Sequence, residues 1–284
     1  MSGAQTSNTP PLVPERTLLV GCGRVGIQVG IRLAELGGCV TGLRRAPSEL
    51  PDSFEKVAVD LIESPIVPMG HYDAMVITIT PSIGRESNLK QGYIESLKGL
   101  HDRLPSIPDR VVFVSSTGVF DSSHRGRVLS EVDVPSPTSD RGKLLKNGEE
   151  VARELFGAHI IRPAGIYGPG REMIIRKVVE HQPVQYDRMT NRIHEQDLVE
   201  AVTRVVTDHR PPHILHAVDL APAPLQEVVE FVASQLGVEA PPSLPTDGPC
   251  GKTFNGELLS AYLGGLTFPS YREGYREILS ARAR

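Results

Sequence analysis

Apolar positions along the chain follow two alternating patterns. Short runs occur at Thr17-Leu18-Leu19-Val20, Cys39-Val40-Thr41-Gly42-Leu43, Lys56-Val57-Ala58-Val59-Asp60-Leu61, Ala74-Met75-Val76-Ile77-Thr78-Ile79-Thr80, Arg110-Val111-Val112-Phe113-Val114-Ser115-Ser116 and Ala158-His159-Ile160-Ile161-Arg162-Pro163. The nearly continuous ones suit parallel strands buried on both faces. Between them lie segments of helical spacing, among them 86–103, with Leu89, Tyr93, Leu97 and Leu100, and 142–156, weakened by Asn147 and Gly148. Strand and helix in alternation predict an α/β fold of Rossmann type, a doubly wound parallel sheet with helices on both faces. The expected organisation is a disordered tail over 1–15, a nucleotide-binding Rossmann domain over 16–170 and a smaller substrate-binding part over 171–284, of which 191–220 return to the sheet. In that last part, helices are expected at 171–181, 195–207 and 225–236, a strand at 213–218 and an exposed loop at 241–249. Residues 121–140 read as a polar loop.

The first run opens into Gly21-Cys22-Gly23-Arg24-Val25-Gly26, a G-x-G-x-x-G turn before a periodic segment. In a strand–turn–helix unit the first glycine permits the tight turn, the second lets a pyrophosphate approach the backbone, and the third allows close helix–strand packing. The amides of the helix's first turn then face the anion. About twenty residues on, an NAD site carries an acidic residue for the ribose 2′-hydroxyl, whereas this chain has Arg44-Arg45. A guanidinium pair there suits a 2′-phosphate, so NADP is the expected cofactor and NAD the less favoured one. Asp60 and Leu61, at the end of the third run, are placed at the adenine. Thr78, Thr80 and Ser115 lie at carboxyl ends of strands, where such sheets bind ligands.

Composition narrows the partners. A net charge of -4 over 284 residues gives no field to attract nucleic acid or an anionic membrane. No apolar run approaches a membrane span and the first residues lack a signal-peptide pattern, which predicts a cytoplasmic protein with a small-molecule substrate. Cys22, Cys39 and Cys250 are odd in number and widely spaced, so they suggest neither disulfides nor zinc. His209, His213 and His216 are set aside as a metal site, because a strand through 213–218 turns the last two to opposite faces. Tryptophan is absent and aromatics make up 5%, which slightly disfavours a carbohydrate substrate.

Taken together with Val59-Asp60-Leu61, three longer stretches make the chain resemble an extended short-chain dehydrogenase/reductase of the NAD(P)-dependent epimerase/dehydratase superfamily over roughly residues 17–278. They are Phe113-Val114-Ser115-Ser116-Thr117-Gly118-Val119-Phe120, Ile161-Arg162-Pro163-Ala164-Gly165-Ile166-Tyr167-Gly168-Pro169-Gly170 and Asn191-Arg192-Ile193-His194-Glu195-Gln196-Asp197. The resemblance implies that Ser116 orients a substrate carbonyl or hydroxyl. It also implies that the segment from Arg162 and Pro163 lies beneath the nicotinamide and at the substrate mouth, and that Lys143 bonds the nicotinamide ribose. Members often pair through the helices corresponding to 86–103 and 142–156, which allows a homodimer.

One departure is chemical. Redox members carry Y-x-x-x-K where this chain reads Ser139-Asp140-Arg141-Gly142-Lys143. A serine hydroxyl is shorter by a ring and far less acidic than a phenol beside an ammonium. Tyr167, His194 and Tyr186 are the candidates to take over, with Tyr167 and His194 first, and Ser139 stays with Ser116, Lys143 and Tyr167 among the expected catalytic positions. Tyr167, His194, Arg171 and Arg192 are the expected substrate-binding residues, the arginines for an acidic group. The turn is also G-x-G-x-x-G where extended members more often show G-x-x-G-x-x-G. Two readings follow: an NADP-preferring oxidoreductase or epimerase acting on a small polar substrate, or a catalytically silent NADP-binding redox sensor or regulator.

Overall fold

Strand β1 (Arg16–Val20) runs through the glycine turn into α1 (Arg24–Glu35), and the strand-then-helix step repeats along the chain. It continues with β2 (Cys39–Arg44), β3 (Glu55–Ala58), β4 (Ala74–Ile77), α2 (Leu89–His101), β5 (Arg110–Val114), β6 (Val128–Leu129), α3 (Asp140–Phe156) and β7 (His159–Pro163). The rest comprises β8 (Gly165–Tyr167), α4 (Met173–Val179), β9 (Met189–Thr190), β10 (Arg192–His194), α5 (Glu195–Thr207), β11 (Ile214–Ala217), β12 (Ala223–Pro224), α6 (Leu225–Leu236), β13 (Thr253–Phe254), α7 (Glu257–Leu263) and α8 (Tyr271–Arg282). The structure is a computed structural model that describes residues 12–81, 89–121, 126–245, 248 and 250–282. Most of the expected tail, the first residues of the 86–103 helix and parts of the 121–140 and 241–249 segments lie outside the described residues.

The main sheet has seven strands in the order β11-β7-β5-β4-β1-β2-β3. Every pairing in it is parallel; Leu18 of β1, for example, sits between Thr41 of β2 and Met75 of β4. Successive side chains of a strand point to opposite faces, and the core divides accordingly. Leu19, Val76, Val112 and Ile161 pack with α1 and α5 on one face. Leu18, Val20, Met75, Ile77 and Phe113 pack with α2 and α3 on the other. Removing each such side chain from water is worth about 1.5–3 kcal/mol, which is why the central runs contain almost nothing polar. β11 returns the chain from the 191–220 region to the sheet edge beside β7.

A separate apolar cluster joins α4, α6 and α8 through Ile175, Val228, Val232, Tyr271 and Ile278. Three two-stranded ladders, β8 with β10, β9 with β12 and β6 with β13, lie outside the main sheet. The last shows that the 121–140 segment is only partly loop: Val128 and Leu129 pair with Thr253 and Phe254, a contact no local pattern announces.

Several strands stop earlier than their apolar runs. After Ile77 the chain bends, with the Thr78 hydroxyl donating to the carbonyls of Val20 and Gly21 at 3.3 and 3.1 Å. After Ala58 the Val59 amide still donates to the Arg44 carbonyl at 3.3 Å, and the Asp60 carboxylate then accepts from the amides of Ile62 and Glu63 at 2.9 and 3.1 Å, which turns Asp60-Leu61 away from the strand. Helix α4 occupies only Met173–Val179 of the expected 171–181, and His181 beyond it has φ 50°.

One charged contact is sealed inside. Arg162 of β7 donates from Nε and Nη2 to the two carboxylate oxygens of Glu149 on α3 at 2.9 and 2.7 Å, and both side chains are 2% exposed. Arg162 also stacks on the Phe120 ring and reaches His216 Nε2 at 3.4 Å. Removing one partner of such a pair strands a buried charge. Arg162→Met is therefore expected to lower unfolding free energy by about 3–5 kcal/mol, and Arg162→Met with Glu149→Leu by clearly less. Urea denaturation of both proteins measures this, and equal losses would show that the pairing is not what Arg162 contributes.

Candidate functional site

At the carboxyl edge of the sheet, a cleft of about 430 Å³ opens over the ends of β1, β2, β3 and β4. Its floor is the glycine turn. Gly21 has φ 71°, and a Cβ there would stand 2.6 Å from Ile79 Cγ2, so both conformation and space require glycine. A Cβ on Gly23 would meet only the Gly21 carbonyl at 3.6 Å, which leaves that side of the turn open to a ligand. On Gly26 it would touch Thr78 Oγ1 and Cys22 Sγ at 3.4 and 3.5 Å, marking close helix–strand packing. No side chain caps α1, so the amides of its first turn keep their capacity for an anion.

Arg44 and Arg45 line the same cleft with Asp60, Leu61, Thr78 and Thr80. Arg44 lies 3.4 Å from Glu49. The two backbone amides it receives hold the Asp60 carboxyl below its ordinary range. Cys22 is buried in the turn, and desolvation pushes its thiol up to about 11, so it packs as an inert small side chain. Ser115 Oγ is buried without a partner at the end of β5. The bare turn and the uncapped helix fit a dinucleotide, whereas Ser115 lines neither cleft.

Val25 is a core residue of α1, and Arg24 turns away from the turn toward the later half of the chain. Its Nε donates to both Glu195 oxygens at 2.8 Å, and its Nη2 donates to the Pro169 carbonyl. Arg171 approaches the same carboxylate at 3.4 Å. Arg162 and Pro163 are buried beneath β7's end, and Arg162 is engaged by Glu149 and lines neither cleft.

A second cleft, of about 510 Å³, lies over the ends of β5 and β7 and against α4 and β13. Ser116 reaches it. Its Oγ accepts from the Gly118 amide at 3.0 Å, which leaves the hydroxyl proton to donate outward. Arg171, Lys177, Arg188, Arg192 and Lys252 line this cleft, and the described lining contains no carboxylate. Arg171 and Arg192 were legible from their motifs. Lys177, Arg188 and Lys252 carry no local signal and meet only because the second lobe folds over the sheet edge.

The positions expected to handle protons are distributed otherwise. Ser139 is the N-cap of α3, with extended backbone at ψ 147° and its Oγ accepting from the Gly142 amide at 3.2 Å. It therefore precedes the helix instead of sharing a helical face with Lys143, which is exposed and lines neither cleft. Tyr167 lines the second cleft but is buried, and its hydroxyl donates to the Ser270 carbonyl at 3.3 Å. Burial pushes its phenol well above the ordinary range, opposite to what proton transfer near neutrality needs. His194 caps α5, its Nδ1 accepting from the Gln196 amide at 3.3 Å, and burial pulls the imidazole down to about 4. The Tyr186 hydroxyl donates to the Pro241 carbonyl at 2.6 Å. Among the described residues no group of three or more His, Cys, Asp or Glu is disposed to hold a metal, and no helix is long and apolar enough to cross a membrane.

No protein-family model and no curated protein sequence matches the chain. Solved structures do. A candidate NAD-dependent epimerase/dehydratase from Methylobacillus flagellatus superposes with a TM-score of 0.76 at 26% identity, covering 95% of this chain and 99% of the other. A human epimerase family protein determined with NADPH gives 0.75 at 19% identity, over 93% and 99%. The UDP-glucuronic acid 4-epimerase from Bacillus cereus in complex with NAD gives 0.71 at 14%, over 95% and 100%. These neighbours are described as an NAD-dependent epimerase/dehydratase, an epimerase family protein and a sugar-nucleotide epimerase, and the two at lower identity share with this chain its fold.

The capping geometry at Ser139 yields a direct test. Ser139→Ala is expected to lower stability by about 0.5–2 kcal/mol, and Ser139→Asp, which also caps, to restore it. Neither should change nicotinamide-nucleotide affinity in calorimetry; a large loss of affinity in both would mean that Ser139 meets the ligand.

Proposed function

We propose that the chain is an NAD(P)-dependent oxidoreductase or epimerase of the extended short-chain dehydrogenase type, NADP-preferring, acting on a small polar substrate that carries negative charge. The observation that carries this reading is the pair of clefts on one sheet edge, one floored by a bare glycine turn and the other lined by five cations. Gly21, Gly23 and Gly26 with the first amides of α1 would hold the pyrophosphate, Asp60 and Leu61 the adenine, and Arg44 and Arg45 the 2′-phosphate. A bound nicotinamide supplies or accepts a hydride, which is chemistry the protein lacks by itself. The chain's part is to orient the substrate oxygen through Ser116 and to neutralise its anionic group through Arg171 and Arg192. The second reading, a silent NADP-binding sensor, is favoured by two features: Ser139 serves as a helix cap and Lys143 stands exposed.

Two measurements test this. NADPH should bind more tightly than NADH, and Arg44→Ala should weaken NADPH by about tenfold while leaving NADH nearly unchanged, as loss of one charge-assisted hydrogen bond implies. Equal affinities for the two nucleotides would remove the phosphate role of Arg44. A screen of anionic carbonyl compounds, followed by NADPH oxidation, should find turnover that Ser116→Ala lowers by about a hundredfold. Turnover fully retained in that variant would place the reaction elsewhere, and no turnover at all would favour the sensor.

A further inference from the structure

The reading above leaves the reduced oxygen without a proton source, because each group named for that duty is otherwise engaged. Ser139 caps a helix, Tyr167 and Tyr186 donate to carbonyls, His194 caps α5, and Lys143 lies outside both clefts. Arginine is no substitute, since it does not release its proton in proteins. Among the described titratable residues of the second cleft this leaves Lys177, Tyr275 and Lys252. Tyr275 is 2% exposed and desolvation pushes its phenol up to about 12.

Lys252 is placed differently. It immediately precedes β13, and Asn191 fixes that backbone from both sides. The Asn191 amide nitrogen donates to the Lys252 carbonyl at 2.7 Å, and its oxygen accepts from the Phe254 amide at 2.9 Å. The Nζ donates to the carbonyl of Phe120, four residues beyond Ser116 on the same loop, and sits 5.9 Å from the Phe254 ring centroid. One of its three N–H bonds is thus held by the segment that follows Ser116, and Lys252 and Ser116 line the same cleft.

We propose that Lys252 is the catalytic acid–base residue of this cleft, giving a proton from Nζ to the substrate oxygen in reduction and taking it back in oxidation, the duty that a tyrosine performs in the resembling family. The inference rests on the proposed reaction. In reduction the substrate O–H bond forms as an Nζ–H bond breaks, and the neutral amine regains its proton from solvent. In oxidation the amine removes the hydroxyl proton and releases it to solvent. The surroundings suit an acid of moderate strength. Half-burial is the main cause that lowers the affinity of Nζ for its proton, Arg188 lowers it further, and Asp121 opposes them. Arg171, Lys177 and Arg192 complete the charged lining, with Tyr167 and Tyr275 as its buried phenols. An anionic substrate would neutralise part of this cationic field and favour the ammonium on binding, so the proton is loaded when it is needed.

The test uses the full-length protein and reads both protonation and turnover. Competitive acetylation of the lysines with acetic anhydride between pH 6 and 11, analysed by mass spectrometry, should give Lys252 a midpoint below the ordinary lysine value of about 10.4. With the carbonyl compound found by the NADPH-oxidation screen, Lys252→Met and Lys252→Arg should each lower kcat by about a hundredfold or more. NADPH affinity and Tm should change little, and the wild-type reduction rate should fall as pH rises through the Lys252 midpoint, a limb absent from Lys252→Arg. A midpoint at or above the ordinary value, or kcat retained in Lys252→Arg with the same pH limb, overturns the role of Lys252 and leaves the proposed function standing. A screen without any turnover overturns both.

Discussion

All seven strands of the main sheet run the same way, and both faces of the sheet are covered by helices. Polar side chains are few on those faces, because burying one without a partner is costly, and the charged one that β7 buries, Arg162, is held by Glu149. Polar groups collect instead where the strands end. The glycine turn after β1, Arg44 and Arg45 at the end of β2, Asp60 after β3, Thr78 after β4 and Ser116 after β5 all lie at carboxyl ends. The two clefts are consequences of parallel pairing before they are consequences of any particular side chain.

Buried charge then fixes how the layers meet. Arg24, at the first position of α1, grips Glu195 at the first position of α5, 171 residues away, and so ties the glycine turn to the segment that carries Tyr167 and Pro169. Glu195 is 5% exposed, so the partners must stay together or leave a carboxylate in the core. The Arg162–Glu149 pair does the same between β7 and α3. Asp197 adds a third joint, accepting the amides of Thr267 and Phe268 at 2.8 and 3.0 Å and holding the approach to α8 against α5. Residues that a motif would assign to ligands are in this way spent on architecture, which keeps the clefts' walls in register.

The second cleft shows what that architecture leaves for chemistry. Its cations come from α4 and the residues just before it, from the strand segment around β9 and β10, and from the approach to β13, all distant from one another along the chain. Concentrated positive charge with no carboxylate in the described lining selects for anions, and half-burial is the main cause that lowers the proton affinity of Lys252. Lys252 is the half-buried and anchored lysine of that lining, its Nζ held by the Phe120 carbonyl and its backbone by Asn191.

How far the sequence could be read follows from the range of the forces involved. The alternating apolar runs, the glycine turn and the helix boundaries of α5 and α6 depend on residues within a few positions, and periodicity reports such local physics. The parallel α/β fold and the place of the glycine, Arg44 and Asp60 cleft were therefore already written in the chain. Where each strand stops, and that Ser139 ends a loop instead of lying within a helix, depended on single hydrogen bonds that no spacing rule contains. The tasks of Arg24, Arg162, Tyr167 and His194, the pairing of β6 with β13 and the arrival of Lys252 beside the Ser116 loop were decided only in three dimensions. Each depends on a partner distant along the chain, and burial alone settles whether such a polar side chain faces a ligand or another residue.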